Sequence, residues 1–172
     1  MITNQTEAQP DLDPCCEDAA MGCSRHVCAA CAHGFGATVQ PSMCPQCQVT
    51  GDARDFPTAS TVAIARQNDQ FRRGMIAGMP EGMKGRMVFT HAIAAQGRSF
   101  ETACILAVAQ DGNFTESNDP FGERDFGTLD VMDRRIWWKL DLYDNDYSFG
   151  SPDGADLAVT ARVLTILFPS DY

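Results

Sequence analysis

The pairs Cys28-x2-Cys31 and Cys44-x2-Cys47, twelve residues apart, limit what this chain can fold into more than any other feature. Two thiolates three residues apart can face one ion from a tight turn, and a second such pair completes the tetrahedron of sulfurs that zinc prefers. Seven of the eight cysteines lie between Cys15 and Cys47. The first 57 residues hold few large aliphatic side chains, so a metal or a crosslink has to replace the core they lack.

Spacing argues for metal over a disulfide framework, and so does the expected compartment. Met1 is followed by Ile-Thr-Asn-Gln-Thr-Glu, with neither the basic start nor the apolar run of a secretory signal. The longest apolar runs, Ala103 to Ala109 and Val163 to Phe168, are too short to span a bilayer. The expectation is a cytoplasmic protein whose cysteines stay reduced.

A second ion has candidate ligands in Cys16, Cys23 and His26, with Cys15 beside them. The order Cys23, His26, Cys28, Cys31, Cys44, Cys47 resembles the second half of a cross-braced RING-type finger over about thirty residues. The resemblance is imperfect: adjacent Cys15-Cys16 stands where a Cys-x2-Cys pair is usual, and one residue instead of two separates His26 from the next cysteine. Successive side chains point apart in extended backbone, so Cys15 and Cys16 are poor joint ligands. One Zn²⁺ on Cys28, Cys31, Cys44 and Cys47 is the primary expectation, a second on the remaining set the alternative. His33 reads as a polar surface residue.

Formal charge is −10, from 23 acidic and 13 basic residues. Four thiolates around a divalent ion add two more negative charges, which opposes contact with a phosphate backbone unless basic residues are segregated. Arg72-Arg73 and Arg134-Arg135 are isolated pairs, and Arg25 and Arg54 are the only basic residues before Thr58. A protein partner is therefore expected, and direct contact with nucleic acid or membrane is not.

The chain divides into residues 1–14, polar and expected to be disordered; 15–50, a zinc-binding finger; 51–57, a linker marked by Thr-Gly-Asp and Phe-Pro; and 58–172, a second domain. In the last, Thr58 or Ser60 can cap a helix carrying Ile64, Phe71 and Met75 at helical spacing, ending near Gly74 and Gly78. Lys84 to Ala94 reads as a strand, and Ser99 opens a helix whose Phe100, Cys104 and Val108 face the core. Phe126 to Met132 and Arg135 to Tyr143 read as a hairpin joined at Asp133-Arg134, and Thr160 to Phe168 as a last strand. The predicted class is α+β: an antiparallel sheet with helices on one face, plus the small N-terminal zinc module.

The densest pattern is Asn118-Asp-Pro-Phe-Gly-Glu-Arg-Asp-Phe-Gly127, followed by Lys139-Leu-Asp-Leu-Tyr-Asp144, Gly150-Ser-Pro-Asp153 and Thr160-Ala-Arg-Val-Leu-Thr-Ile166. It resembles a family of small uncharacterised proteins met in alphaproteobacteria and often on plasmids. Their pattern runs Asn-Asp-Pro-Tyr-Gly-Glu-His-Asp-Phe-Gly, Lys-Ile-Asp-Tyr-Tyr-Asp, Gly-Ser-Pro-Asp-Pro and Thr-Arg-Val-Leu-Thr-Ile. The resemblance covers roughly residues 58–172 and implies kinship with a domain of unknown function, without an activity. Arg124 stands where the pattern has histidine, so any proton-shuttling or metal-binding role of that histidine would be lost here.

Three functional classes follow. The first is a noncatalytic zinc-binding interaction or regulatory protein, in a plasmid setting an accessory factor or an inhibitor of a host nucleic-acid-handling protein. The second is a hydrolase or metal-dependent enzyme centred on Asp119, Glu123, Asp125, Lys139 and Asp141, whose carboxylates could hold Mg²⁺ or Ca²⁺ or act as a base. Against it, Asn-Asp-Pro and Phe-Gly-Glu are turn formers, and Lys139 beside Asp141 is an ordinary solvated sheet face. The third, a nucleic-acid-binding zinc finger, lacks the basic residues it needs.

Overall fold

A computed structural model describes residues 22–172, which fall in two compact units divided between Ala59 and Ser60. The expectations for the 1–14 segment and for Cys15 and Cys16 lie outside the described residues.

In the first unit, β1 (Ser24–Val27) pairs antiparallel with β2 (Gly34–Ala37), placing His26 opposite Phe35. Among the described residues the buried apolar cluster of this unit is Cys28, Phe35, Cys44 and Phe56. Phe56 packs in this cluster: its ring meets Phe35 edge-on, Val27 donates to the Pro57 carbonyl, and Ala29 donates to the Asp55 carbonyl. Asp52 and Asp55 accept main-chain N–H groups inside the turn.

The second unit runs α1 (Ala59–Ala77), β3 (Lys84–Phe89), α2 (His91–Ala94), α3 (Arg98–Gln110), β4 (Phe126–Val131), β5 (Arg134–Tyr143), β6 (Ala161–Leu167) and a 3₁₀ turn at Pro169–Asp171. Its sheet is ordered β3-β6-β5-β4. The β4-β5 and β5-β6 pairings are antiparallel as expected, and the edge strand β3 runs parallel to β6. That parallel pair is open to β3 because two helices and two strands separate it from β6, too far for a hairpin to set its direction.

Alternation along β5 decides which face is buried. Ile136, Trp138 and Leu140 point inward, with Trp138 opposite Ile166 and Leu140 opposite Leu164. The helices contribute Phe71, Ile93, Phe100, Cys104 and Val108 to the same cluster. Each of these fully buried large side chains stabilises the fold by about 1.5–3 kcal/mol. The opposite face carries Trp137, Lys139, Asp141 and Tyr143, half-exposed.

Three local readings shift. The strand expected over residues 84–94 stops at Phe89, because Ile93, four residues later and fully buried, reaches the core from a helical turn as well as from a strand. The hairpin turns at Met132-Asp133, both in the left-handed region (φ 48° and 62°), as a two-residue loop between the paired Val131 and Arg134 requires. Helix α1 continues through Gly74, buried against Met79 and Pro80, and ends before Gly78 (φ 99°).

Helix α1 also buries polar residues: Gln67, Asn68, Asp69 and Arg72. The Arg72 guanidinium is fully enclosed, donating to Asp69 and to the Val108 and Asp111 carbonyls while lying 4.6 Å over the Trp138 ring. Burial lowers its pKa, and the Asp69 and Asp111 charges oppose that shift. Trp138 in turn donates its indole N–H to Asp111 at 2.8 Å. Gly127 passes so close that a Cβ there would overlap both the indole nitrogen and the Asp111 carboxylate. Arg162 is equally buried and donates to Gln67, Asn68 and the Gly154 carbonyl, all neutral, and burial pulls its pKa down to about 10. Asp69→Ala leaves Arg72 enclosed without its nearest carboxylate and is expected to cost about 3–5 kcal/mol in urea unfolding. A loss below about 1 kcal/mol would mean that the remaining partners already satisfy the charge.

Candidate metal centre and the acidic loop

The two Cys-x2-Cys pairs are built the same way. In the first, Cys28 N–H donates to the His33 carbonyl and Ala32 N–H to the Cys28 carbonyl; in the second, Cys44 donates to Val49 and Gln48 to Cys44. The residue after each second cysteine, Ala32 or Gln48, takes φ 59°, turning the chain back so that both sulfurs of a pair face one side. The four Sγ atoms lie within 4.8 Å of one another, a group that can hold a metal ion such as zinc. Cys28 Sγ is 3.7 Å from Cys47 Sγ, and Cys31 Sγ is 3.8 Å from Cys44 Sγ. A disulfide is about 2.05 Å long, so these are four separate thiols.

Cys28 and Cys44 are buried, while Cys31 and Cys47 are exposed. Burial raises the Cys44 thiol, but N–H groups of Cys47 and Gln46 and the neighbouring thiols outweigh it and bring it down to about 7. Cys31 goes the other way: a hydrogen bond from the His33 main chain lowers it, yet burial and the surrounding thiols push it up to about 12. Protons alone thus leave Cys31 and Cys44 unequal, and a divalent cation would favour the thiolate form of its ligands.

In a cross-braced finger the third and fourth pairs would serve different ions, whereas here they share one point, as in a zinc ribbon. Cys23 and His26 do not join the group. His26 is buried, and its Nδ1 donates to the Phe56 carbonyl at 2.8 Å, so it pins Phe56 beneath the cysteine turns. Cys16 lies outside the described residues. His33 stacks on Phe35.

The acidic loop is tied to the fold at most of its positions. Asp119, almost fully buried, accepts the Arg124 N–H at 3.0 Å. The carbonyl of Glu123 takes the Asn68 amide at 2.9 Å, and that of Asp125 takes Leu140 N–H at 2.7 Å. Arg124 sits in the left-handed region (φ 54°) and sends its guanidinium to Asp69, the carboxylate that Arg72 also uses. Lys139 and Asp141 form an ion pair of 2.8 Å on the half-exposed sheet face. Among the described residues, these carboxylates do not converge as a group of three or more ligand atoms. Cys104 is enclosed in the core, its thiol pushed up to about 11 by burial and then by the Glu101 charge, which makes it an unreactive hydrophobe.

Sequence reasoning missed the α1 residues that hold these loops. A signal was present: Asn68 occupies the same stripe as Ile64, Phe71 and Met75, and a polar residue in an apolar stripe needs a partner.

Residues 89–171 match the model of a family described as a protein of unknown function (DUF3768). The match begins at the end of β3, leaving the cysteine turns and α1 outside it. No curated protein and no solved structure matches the chain significantly.

Glu123 and Asp125 are both held above the ordinary carboxylate range. Burial is the largest cause for each; Asp125 and Asp119 add to it at Glu123, and Asp119 and Asp141 add at Asp125 against a main-chain hydrogen bond that lowers it. Folding therefore favours their protonated forms. The stability this contributes is complete below the unfolded values of 4.5 and 3.8 and is lost as pH rises through the raised folded ones. The pair of substitutions Glu123→Gln and Asp125→Asn should leave the neutral-pH melting temperature unchanged or higher, with the difference closing as the solution is acidified. Thermal melts across pH check this, and a lower melting temperature at neutral pH would show that the fold needs the two charges.

Proposed function

We propose that the chain is a zinc-binding, noncatalytic interaction protein, its N-terminal unit held in shape by one ion. The observation that carries this reading is the spacing of the four sulfurs. Zn–S bonds of about 2.3 Å in a tetrahedron place sulfurs about 3.8 Å apart. The two cross-pair distances, 3.7 and 3.8 Å, match that edge. Four thiolates fill the coordination sphere and leave no position for substrate or an activated water, which makes the role structural. Among the described residues the buried apolar cluster of this unit has four members, two of them the cysteines of the proposed site, which supports the need for an ion.

The partner is a protein. A net charge of −10 disfavours phosphate backbones and anionic membranes and favours a cationic surface. A reducing cytoplasm suits four free thiols. The narrower form of the proposal, an accessory factor of a mobile element or an inhibitor of a host nucleic-acid-handling protein, draws on the same charge and on the plasmid setting of the family the motifs resemble. The enzyme alternative has in its favour the raised carboxyls of Glu123 and Asp125, but the main chain around them is committed to holding the loop.

Protein prepared without added metal should carry one zinc per chain by mass spectrometry. Cys28→Ser or Cys44→Ser should lose that zinc and unfold the first unit, since structural zinc supplies about 10–16 kcal/mol to such fingers, while the second unit keeps its denaturation transition. A metal content near zero or near two, or a folded first unit in the zinc-free variant, would contradict the reading.

A further inference from the structure

Two phenylalanines of the second unit stand out from loops that are otherwise locked. Phe121 is 80 % exposed and Phe149 is 76 % exposed. Isolated apolar residues on a surface need no explanation, but these two are held in place. At Phe149, the Asp144 carboxylate accepts N–H groups of Ser148 and Phe149 at 2.8 and 3.2 Å, and Asp144 N–H donates back to the Phe149 carbonyl at 2.9 Å. At Phe121, Gly122 N–H reaches the Asp119 carbonyl at 3.2 Å and Arg124 N–H reaches the Asp119 carboxylate at 3.0 Å.

The flanking chain of both loops is tied to neighbouring residues of α1. Asn68 holds the Glu123 carbonyl, Gln67 holds that of Ala155, and Arg162 links Asn68 to the Gly154 carbonyl. A ring presented on a fixed backbone loses little conformational freedom on binding, the property that makes an aromatic side chain an effective anchor.

We infer that Phe121 and Phe149 are the anchors of a docking surface for a cationic protein segment, one with apolar side chains or pockets among lysines and arginines. The inference rests on the interaction reading above and names the class of partner for the second unit. Charge selects that occupant over the others. Residues 111–156 hold twelve acidic and four basic residues, so phosphate or an anionic lipid would be repelled where the rings protrude. A second copy of the chain would set the same carboxylates against themselves. A lysine- and arginine-bearing segment gains attraction at the rim while its apolar groups cover the rings.

The test is selection of random sixteen-residue peptides displayed on phage against the full, zinc-loaded chain, followed by affinity measurements on the enriched peptides. The expected peptides carry a net positive charge with apolar residues and bind more weakly as salt increases. Replacing both rings, Phe121→Ser with Phe149→Ser, should weaken them at least about thirtyfold, the loss of one strong anchor. Both positions are so exposed that the unfolding midpoint should not move. Met132→Ser, at a residue 65 % exposed in the turn beside Arg134 and Arg135, is the control expected to change nothing. Cys44→Ser is expected to leave this binding intact, which separates it from the zinc reading: lost binding in that variant would assign the peptides to the finger and overturn the inference. So would failure to enrich any peptide, enrichment of neutral or acidic peptides, or equal binding by the double serine variant.

Discussion

Charge placed out of water has to be answered by charge or by hydrogen bonds, and both units of this chain are organised around that demand. In the first, Cys28 and Cys44 are fully buried and face Cys31 and Cys47. Four thiolates so close are tolerable only around a cation. In the second, Arg72 and Arg162 are fully buried, and α1 gives up an otherwise apolar stripe to Asn68, Asp69 and Gln67 to receive them. Around those contacts the sheet, the helices and the long loops take their positions.

The motif-rich segments are tied into the same network. Arg162 leaves β6 and meets Asn68, which holds the Glu123 carbonyl, while Asp69 holds Arg124. Asp111 serves Trp138, and Gly127 has no side chain because that hydrogen bond occupies the space. The Asp119 carboxylate and the Arg124 guanidinium, with the main-chain carbonyls of Glu123 and Asp125, are thus engaged in fixing the loop. What those loops display is aromatic: Phe121 and Phe149 are exposed.

How much was legible follows the same division. The cysteine spacing led directly to the four converging thiols, because two short pairs each close a local turn and need only one contact between them. Alternation from Ile136 to Tyr143 identified β5 and its buried face, since a period of two is a property of the strand itself. Sequence order alone does not say which pairs share an ion. His26 has the right residue type for a ligand, yet its nearest need is the Phe56 carbonyl, a contact thirty residues away in sequence. The parallel partner of β3 and the buried arginines were equally out of reach, being set by long-range packing and not by any local pattern.

The central claim is that the four sulfurs hold one zinc in a closed, structural site. Zinc K-edge X-ray absorption on the intact protein tests it most directly. The account predicts four sulfur neighbours at about 2.3 Å and no lighter ligand. A first shell containing nitrogen or oxygen would contradict it, because His26 or water would then have entered a site that the geometry of Cys28, Cys31, Cys44 and Cys47 already fills.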